Sequence, residues 1–425
     1  MKQQSRDRST NATANIQFPT VPCKRSETKK MKALEYIGKK KVRLTEVPRV
    51  ILTDPKDAIV RITATTICGS DLHLYHGLFP EVYKHDILGH EAIGIVEEVN
   101  TGVTKFKKGD RVALSCIFAC GECQYCQREE YSLCDNTNSS KKEESFYGHR
   151  TSGIPGYSHL MGGYEGFQAE YARVPIADMN LIPLSDNISV ENAILLSDVA
   201  NTAWHGNDIA SVGDGDIVGI WGAGPVGLVA AFFSAYRGAS RVIVIDNDNF
   251  RLNLAKKNVE GVETINFKEE DVTKTLQKLV PGGLTVGIEC VGFRFPKDVS
   301  HKIQQLLKLE TDDSGIIDEI FTNVCKHARV ALLGDYLSYC NSFPIGMLHA
   351  KSLQLFAGQN FAQKYQHHLA KLMETGEIDL SWIFTHRLPF SDTAKAYAMF
   401  DKHQDNMVKV RLDVSLETPQ QKTVI

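Results

Sequence analysis

From Ile217 to Tyr236 the chain runs without a charged residue, and the glycines inside that run set the tightest limit on the fold. On length alone such a segment could span a membrane. Gly219, Gly222, Gly224, Pro225 and Gly227 crowd its first half, where a spanning helix would lose backbone entropy and hydrogen bonds. A buried strand, a tight turn and a helix use the same residues well. Gly222, Gly224 and Gly227 form G-x-G-x-x-G. The first glycine permits the turn, the second lets backbone approach a pyrophosphate, and the third lets helix and strand pack. Pro225 and Val226 then open a helix whose free N–H groups face that phosphate.

The surrounding pattern agrees. Asp216 to Trp221 reads as a strand, Pro225 to Arg237 as a helix, Arg241 to Asp246 as a strand and Asn249 to Asn258 as a helix, with similar alternation to Gly334. This alternation predicts an α/β unit with a doubly wound parallel sheet. Asp246 ends the second strand, 24 residues beyond Gly222. A carboxylate there accepts ribose hydroxyls and repels a 2′-phosphate, which favours NAD over NADP. Arg251 is placed to pack over the adenine or to pair with Asp246. The plainer alternative is that Asp246 caps the next helix and the glycines only turn the chain.

Before this unit the pattern is different. From Met31 to about Val112, short β-branched runs (Val42 to Val47, Ala58 to Thr65, Ala92 to Val99) are punctuated by Gly, Pro and Asp, which predicts an antiparallel β domain. A loop-rich region follows to about Tyr164, with Lys141, Lys142, Glu143 and Glu144 expected at an exposed tip. An amphipathic helix over about Gln363 to Glu374 and a β-like Met407 to Val414 are too little for a core of their own, so they are expected to rejoin the first domain. The first thirty residues hold seven basic and two acidic residues with few large apolar side chains, so a disordered extension is expected rather than a transit helix, which Pro19 and Pro22 would interrupt. The expected division is therefore 1–30 extension, 31–199 β-rich catalytic domain, 200–344 nucleotide-binding domain, and 345–425 completing the catalytic domain.

A chain of 425 residues is long enough for two cores, and its formal charge of −3 offers no basic surplus for nucleic acid. A small-molecule partner fits better. Ten cysteines without a secretory signal predict reduced thiols, a cytoplasmic setting and bound metal. Cys120, Cys123, Cys126 and Cys134 form C-x2-C-x2-C-x7-C, spacing that suits a closed, structural four-thiolate zinc site; an iron–sulfur centre or a disulfide pair are the alternatives. A second set is dispersed: Cys68 in Cys-Gly-Ser-Asp-Leu-His, His90 and Glu91 in Gly-His-Glu, and Asp198 in Leu-Ser-Asp. Singly, each has a plain reading: a buried small thiol, a core histidine, a helix cap.

Together these residues resemble the zinc-containing alcohol dehydrogenases of the medium-chain dehydrogenase/reductase superfamily, from Met31 to about Asp413. The likeness rests on Met-Lys-Ala-Leu, Gly-His-Glu-Ala-Ile-Gly, Lys-Lys-Gly-Asp-Arg-Val, the four-cysteine lobe and the glycine fingerprint. Gly-Tyr-Ser-His-Leu-Met-Gly-Gly-Tyr, Gln-Ala-Glu-Tyr-Ala-Arg-Val-Pro and Leu-Ser-Asp followed by Trp-His-Gly look most like the glutathione-independent formaldehyde dehydrogenase branch. The resemblance implies a Rossmann domain beside a GroES-like β-rich catalytic domain, NAD, and two zinc ions per chain, one catalytic and one structural. It also implies a homodimer or homotetramer. Carried over by position, it implies catalytic zinc on Cys68, His90 and Asp198, with Glu91 as an alternate ligand and Ser70 and His73 as a proton relay towards solvent. The expected reaction is hydride transfer from an alcohol or hydrated aldehyde to NAD. Polyol or threonine-type dehydrogenases on the same scaffold, or a non-catalytic nucleotide-binding protein, are the competing readings. Two features depart from the branch: Phe167 replaces a usual glycine, and the segment before Met31 lies outside the pattern. The stretch from Phe293 to Val324 resembles the branch's extra loop near the cofactor.

Overall fold

Where β-branched runs alternate with turns, neighbouring strands pair mainly antiparallel; where helices intervene, they pair parallel, and the chain builds a largely antiparallel sheet, a parallel sheet and a separate two-stranded hairpin. The computed structural model describes residues 18–292 and 312–414. A hairpin of β1 (Arg25–Gly38) and β2 (Lys41–Val50) precedes β3 (Ala58–Thr66), β4 (Ala92–Val99), β5 (Arg111–Leu114), β6 (Tyr171–Val174) and β7 (Leu181–Pro183). The parallel sheet follows with β8 (Ile217–Trp221), β9 (Arg241–Asp246), β10 (Glu263–Asn266), β11 (Leu284–Glu289), β12 (Val324–Leu332) and β13 (Gln354–Ala357). Then β14 (Phe384–Pro389) and β15 (Lys409–Asp413) return to the first sheet, where β15 pairs antiparallel with β3 and parallel with β14.

The first sheet runs β14-β15-β3-β4-β5-β7, with β6 also on β3; the second runs β10-β9-β8-β11-β12-β13. In the second sheet the order reverses between β8 and β11, and the loops after both strands open on the same edge. Such a switch point is where open α/β sheets bind ligands. The glycine loop sits there because of its backbone. Gly222 has φ +100°, and a Cβ on Gly227 would lie 1.9 Å from the Gly222 carbonyl oxygen, so both positions demand glycine. Central strands are buried on both faces, from Val242 to Ile245 for example, and their apolar runs explain the uncharged stretch. No helix among the described residues is long and apolar enough to cross a membrane.

Several expectations need correction. Part of the segment expected to be disordered is structured: β1 begins at Arg25, and Thr20 donates to Asp54 through its backbone N and its hydroxyl, each at 2.7 Å. Nearly buried Arg173 clamps this stretch, binding the Thr20 carbonyl, Asp54 and Asp57 at 2.6 Å each. Polar pairing to the body holds it, together with Val21 and Cys23 packed against the core. Residues 1–17 lie outside the described residues. Lys141, Lys142 and Glu144 are exposed as expected, but the stretch starts the helix Lys141–Tyr147, capped by Ser140, and Glu143 is fully buried, accepting from Asn138 Nδ2 at 2.6 Å and Thr151 Oγ1 at 2.5 Å. The parallel sheet continues past residue 344, since β13 pairs with β12. Of the stretch from Phe293 to Val324, residues 293–311 lie outside the described residues, while Gly315–Asn323 is a helix packed on the parallel sheet. Phe167 fits without disruption, fully buried beside Phe118 with ring centroids 6.2 Å apart.

Candidate active site and metal centres

In the four-cysteine lobe, two short 3-10 turns, Cys126–Arg128 and Tyr131–Leu133, wrap the sulfurs around one point. All four Sγ atoms lie within 4.8 Å of one another. Cys120 and Cys126 are 3.8 Å apart and Cys123 and Cys134 are 4.0 Å apart. Zn–S bonds of roughly 2.3 Å give a tetrahedral edge of about 3.8 Å, so the spacing fits a single ion. It is far too long for a disulfide, and all ten cysteines are free. Backbone N–H groups of Glu122 and Cys123 point at Cys120 Sγ (3.3 and 3.2 Å), and Asn136 N points at Cys134 Sγ at 3.4 Å. Hydrogen bonds from Cys126 and Cys134, helped by those backbone groups, hold the Cys120 thiol well below its usual pKa.

The dispersed set converges as well. Cys68 precedes the helix Gly69–Tyr75, His90 and Glu91 immediately precede β4, and Asp198 stands at the N-terminus of the helix Val199–Ile209 without capping it through its side chain. Donor atoms of Cys68, His90, Glu91 and Asp198 lie within 4.8 Å of one another. Asp198 Oδ2 is 3.7 Å from Cys68 Sγ and 3.6 Å from His90 Nε2. Those separations match about 3.6 and 3.4 Å for S, N and O ligands around one tetrahedral zinc. Asp71 accepts from the Cys68 backbone N at 2.9 Å and sits 3.2 Å from His90 Nδ1, which leaves Nε2 facing the other donors. Burial opposes charge on His90, yet Asp71 and Asp198 raise its pKa well above the usual value. Burial alone would raise Asp198, but the hydrogen bond and charge of His90 push it down to about 2.

Glu91 stands apart from the other three. Its Oε1 pairs at 2.6 Å with fully buried Lys409 on β15, and its Oε2 is buried without a hydrogen-bond partner. Ser70 Oγ lies 3.4 Å from His90 Nε2. His73 is buried, with Nε2 3.7 Å from Asp335 Oδ2, so a carboxylate rather than open solvent lies beyond it. Asp335, just past β12, also accepts from Tyr157 OH at 3.3 Å and Gln359 Nε2 at 3.1 Å.

A single cavity of about 400 Å³ joins these groups to the nucleotide loop. Cys68, Ser70, His73 and Asp198 line one end; Asp246, Asn247 and Arg251 line the other, with Gly222, Gly224, Pro225 and Val226 between. A Cβ on Gly224 would meet nothing within 4 Å and would project into open space, the cradle that a pyrophosphate requires. Asp246 is not the helix cap: Asp248 caps Asn249–Asn258, accepting from Phe250 N at 2.9 Å. Asp246 braces the loop, accepting from Ala223 N at 2.6 Å and Asn247 N at 2.7 Å. Arg251 does not pair with Asp246; its Nε is 3.6 Å from Asp248, because one helical turn aligns that pair.

Sequence reasoning missed Asp71, Lys409, Asp335 and Glu289. The last is fully buried at the end of β11 and ties the two loops at the switch point, accepting from Val291 N and Gly292 N at 2.6 Å each and from Gly334 N at 3.0 Å. Only Asp71 left a signal, three residues after Cys68 in capping-box spacing.

Comparison with known proteins gives the same architecture. Residues 54–186 match the alcohol dehydrogenase GroES-like domain, and residues 225–307 match the zinc-binding dehydrogenase domain. The chain is 40% identical to a zinc-type alcohol dehydrogenase-like protein of Schizosaccharomyces pombe, over 91% of each chain. It is 30% identical to a glutathione-independent formaldehyde dehydrogenase of Pseudomonas aeruginosa, over 86% of this chain and 94% of that one. Among solved structures, the alcohol dehydrogenase of Thermus sp. ATN1 superposes with a TM-score of 0.78 at 31% identity, covering 91% of this chain and all of the other. With both domains matched in order and both metal-donor sets in place, the chain belongs to the zinc-dependent alcohol dehydrogenases of the medium-chain dehydrogenase/reductase superfamily, oxidoreductases that use zinc and a nicotinamide cofactor on small molecules.

Proposed function

We propose that this enzyme transfers hydride from a small primary alcohol or hydrated aldehyde to NAD, with Cys68, His90 and Asp198 as its catalytic metal ligands. The observation that carries this reading is the shared cavity, lined by Cys68 and Asp198, which stand within ligand reach of His90, and also by the glycine loop and Asp246. When bound, zinc supplies a Lewis acid that acidifies a hydroxyl, and the nicotinamide supplies the hydride acceptor.

The remaining work falls to side chains. Ser70, beside His90, receives the substrate hydroxyl proton, and His73 takes it onward; Asp335 orients the imidazole. Asp71 fixes His90 so that Nε2 is the ligating nitrogen. Lys409 holds Glu91 by one oxygen and leaves the other beside the donors as an alternate ligand. Gly224 admits the pyrophosphate, while Asp246 accepts ribose hydroxyls and repels a 2′-phosphate, with Arg251 beside the adenosine end. The four-cysteine lobe, closed on all sides by sulfur, supports folding. Homologues named for formaldehyde oxidation, at 30% identity, support the substrate class. A homodimer or homotetramer follows the family pattern.

The test pairs metal analysis with a substrate panel of formaldehyde, primary alcohols and polyols, offered with NAD or NADP and also with no added cofactor. Two zinc ions per chain and NAD reduction by the small substrates are expected, with dismutation of aldehyde if NAD is retained. Preference for polyols, or for NADP, would overturn the substrate or cofactor assignment respectively.

A further inference from the structure

Asp198 differs from Cys68 and His90 in having two equivalent oxygens, and the fold treats them unequally. Oδ2 faces Cys68 and His90. Oδ1 turns away and receives the Thr202 hydroxyl at 2.6 Å, Asn360 Nδ2 at 3.4 Å and, more weakly, the Cys116 thiol at 3.8 Å. Thr202 lies one helical turn beyond Asp198 on Val199–Ile209, whereas Asn360 comes from the loop after β13. Asn360 Nδ2 also donates to Thr202 Oγ1 at 2.8 Å. A threonine hydroxyl has one proton, so with its lone pair engaged by the amide that proton points to Asp198. The reversed amide would aim its oxygen at the Asp198 carboxylate, so charge selects the observed orientation.

We infer that Thr202 and Asn360 are positioning residues that hold Asp198 as a one-oxygen metal ligand, so that its second oxygen cannot close on the ion and fill the position kept for substrate. An open fourth position is what separates a catalytic zinc site from a closed one. With three protein donors, a carboxylate that swung onto the ion through both oxygens would remove that position. Thr202 and Asn360 reach the second oxygen from two elements distant in sequence, one a helical turn away and one from the loop after β13. The inference rests on the reading of Asp198 as a ligand of the catalytic zinc.

The experiment uses full-length protein with zinc, and with cobalt(II) exchanged for it, in Thr202→Val, Thr202→Ser and Asn360→Leu. Chelator competition reads the affinity of the catalytic metal; cobalt difference spectra against wild type, in which the four-thiolate contribution cancels, read coordination number. Thr202→Val and Asn360→Leu are expected to lose the catalytic metal at about 10–100-fold lower chelator concentration, the usual size of an outer-shell effect, with weaker visible cobalt bands as coordination rises above four. Thr202→Ser is expected to restore both readouts. Should Thr202→Val fail to fold, Asn360→Leu carries the same two measurements from the other side of the clamp. Wild-type affinity and spectra in Asn360→Leu and in any folded Thr202→Val overturn the inference while two metals per chain remain. A wild-type protein holding only one metal overturns the ligand reading beneath it as well.

Discussion

The two metal-donor sets solve one coordination problem in opposite ways. The lobe collects four sulfurs from fifteen consecutive residues, Cys120 to Cys134, using tight turns and backbone N–H groups that point at sulfur. The dispersed set, proposed as catalytic, collects donors from Cys68, His90 and Asp198, each at the edge of a different element, and depends on distant groups to aim them. A local site needs its ion to fold because little else holds the loop; a dispersed one is already held by two sheets and leaves a coordination position free.

Removing a donor from each set is the sharpest way to break that contrast. Cys123→Ala should lose the lobe metal and about 4–5 kcal/mol of unfolding free energy, read by denaturant titration. Equal stability would show that the lobe is not a folding element. Cys68→Ala should instead keep its unfolding midpoint and its lobe zinc while kcat/KM falls about 1000-fold, or about 4 kcal/mol. Full turnover in that variant would remove Cys68 from the chemistry.

His73→Ala sharpens the contrast inside the dispersed site, since it touches no metal donor: kcat near pH 7 should fall about 100-fold with both zinc ions retained. Undiminished turnover would exclude the relay. The helix that carries Asp198 also brings buried His205, whose Nδ1 donates to Tyr365 OH at 2.9 Å while that hydroxyl donates to Asp208 at 3.0 Å. Burial pushes His205 down to about 4. Below about pH 6.5 the unfolded chain takes up a proton that the folded protein refuses, so His205 makes stability fall as pH drops towards 4 and has no effect above that window. Between pH 7 and pH 5 the loss should be about 2 kcal/mol, and urea unfolding of His205→Gln should lack this component. Smallest, Asp246→Ser should raise KM for NAD about tenfold, roughly 1.4 kcal/mol, and narrow the gap to NADP. An unchanged cofactor ratio would take Asp246 out of ribose recognition.

What the sequence made legible follows the same division. Arg241–Asp246 and Asn249–Asn258 have the bounds that their apolar periods and flanking turns suggest, and β15 returns to β3 as an orphan strand must. The four-cysteine set needed only spacing. Lys409, Asn360 and Asp335 were invisible because each acts on a partner far along the chain, and nothing near them in sequence marks the pairing. Composition misjudged residues 25–30 for a related reason: low apolar content forbids a core but not a strand paired to a body that supplies the counter-charges. Asp246 and Asp248 are chemically alike and two residues apart, so only geometry could tell brace from cap.

Asp335 belongs to the parallel sheet, whereas the imidazole and phenol it touches belong to the other half of the molecule. Any motion that parts the two halves to admit or release a dinucleotide takes this carboxylate away from His73. Under the proposed relay, proton delivery through His73 would then depend on contact between the two halves.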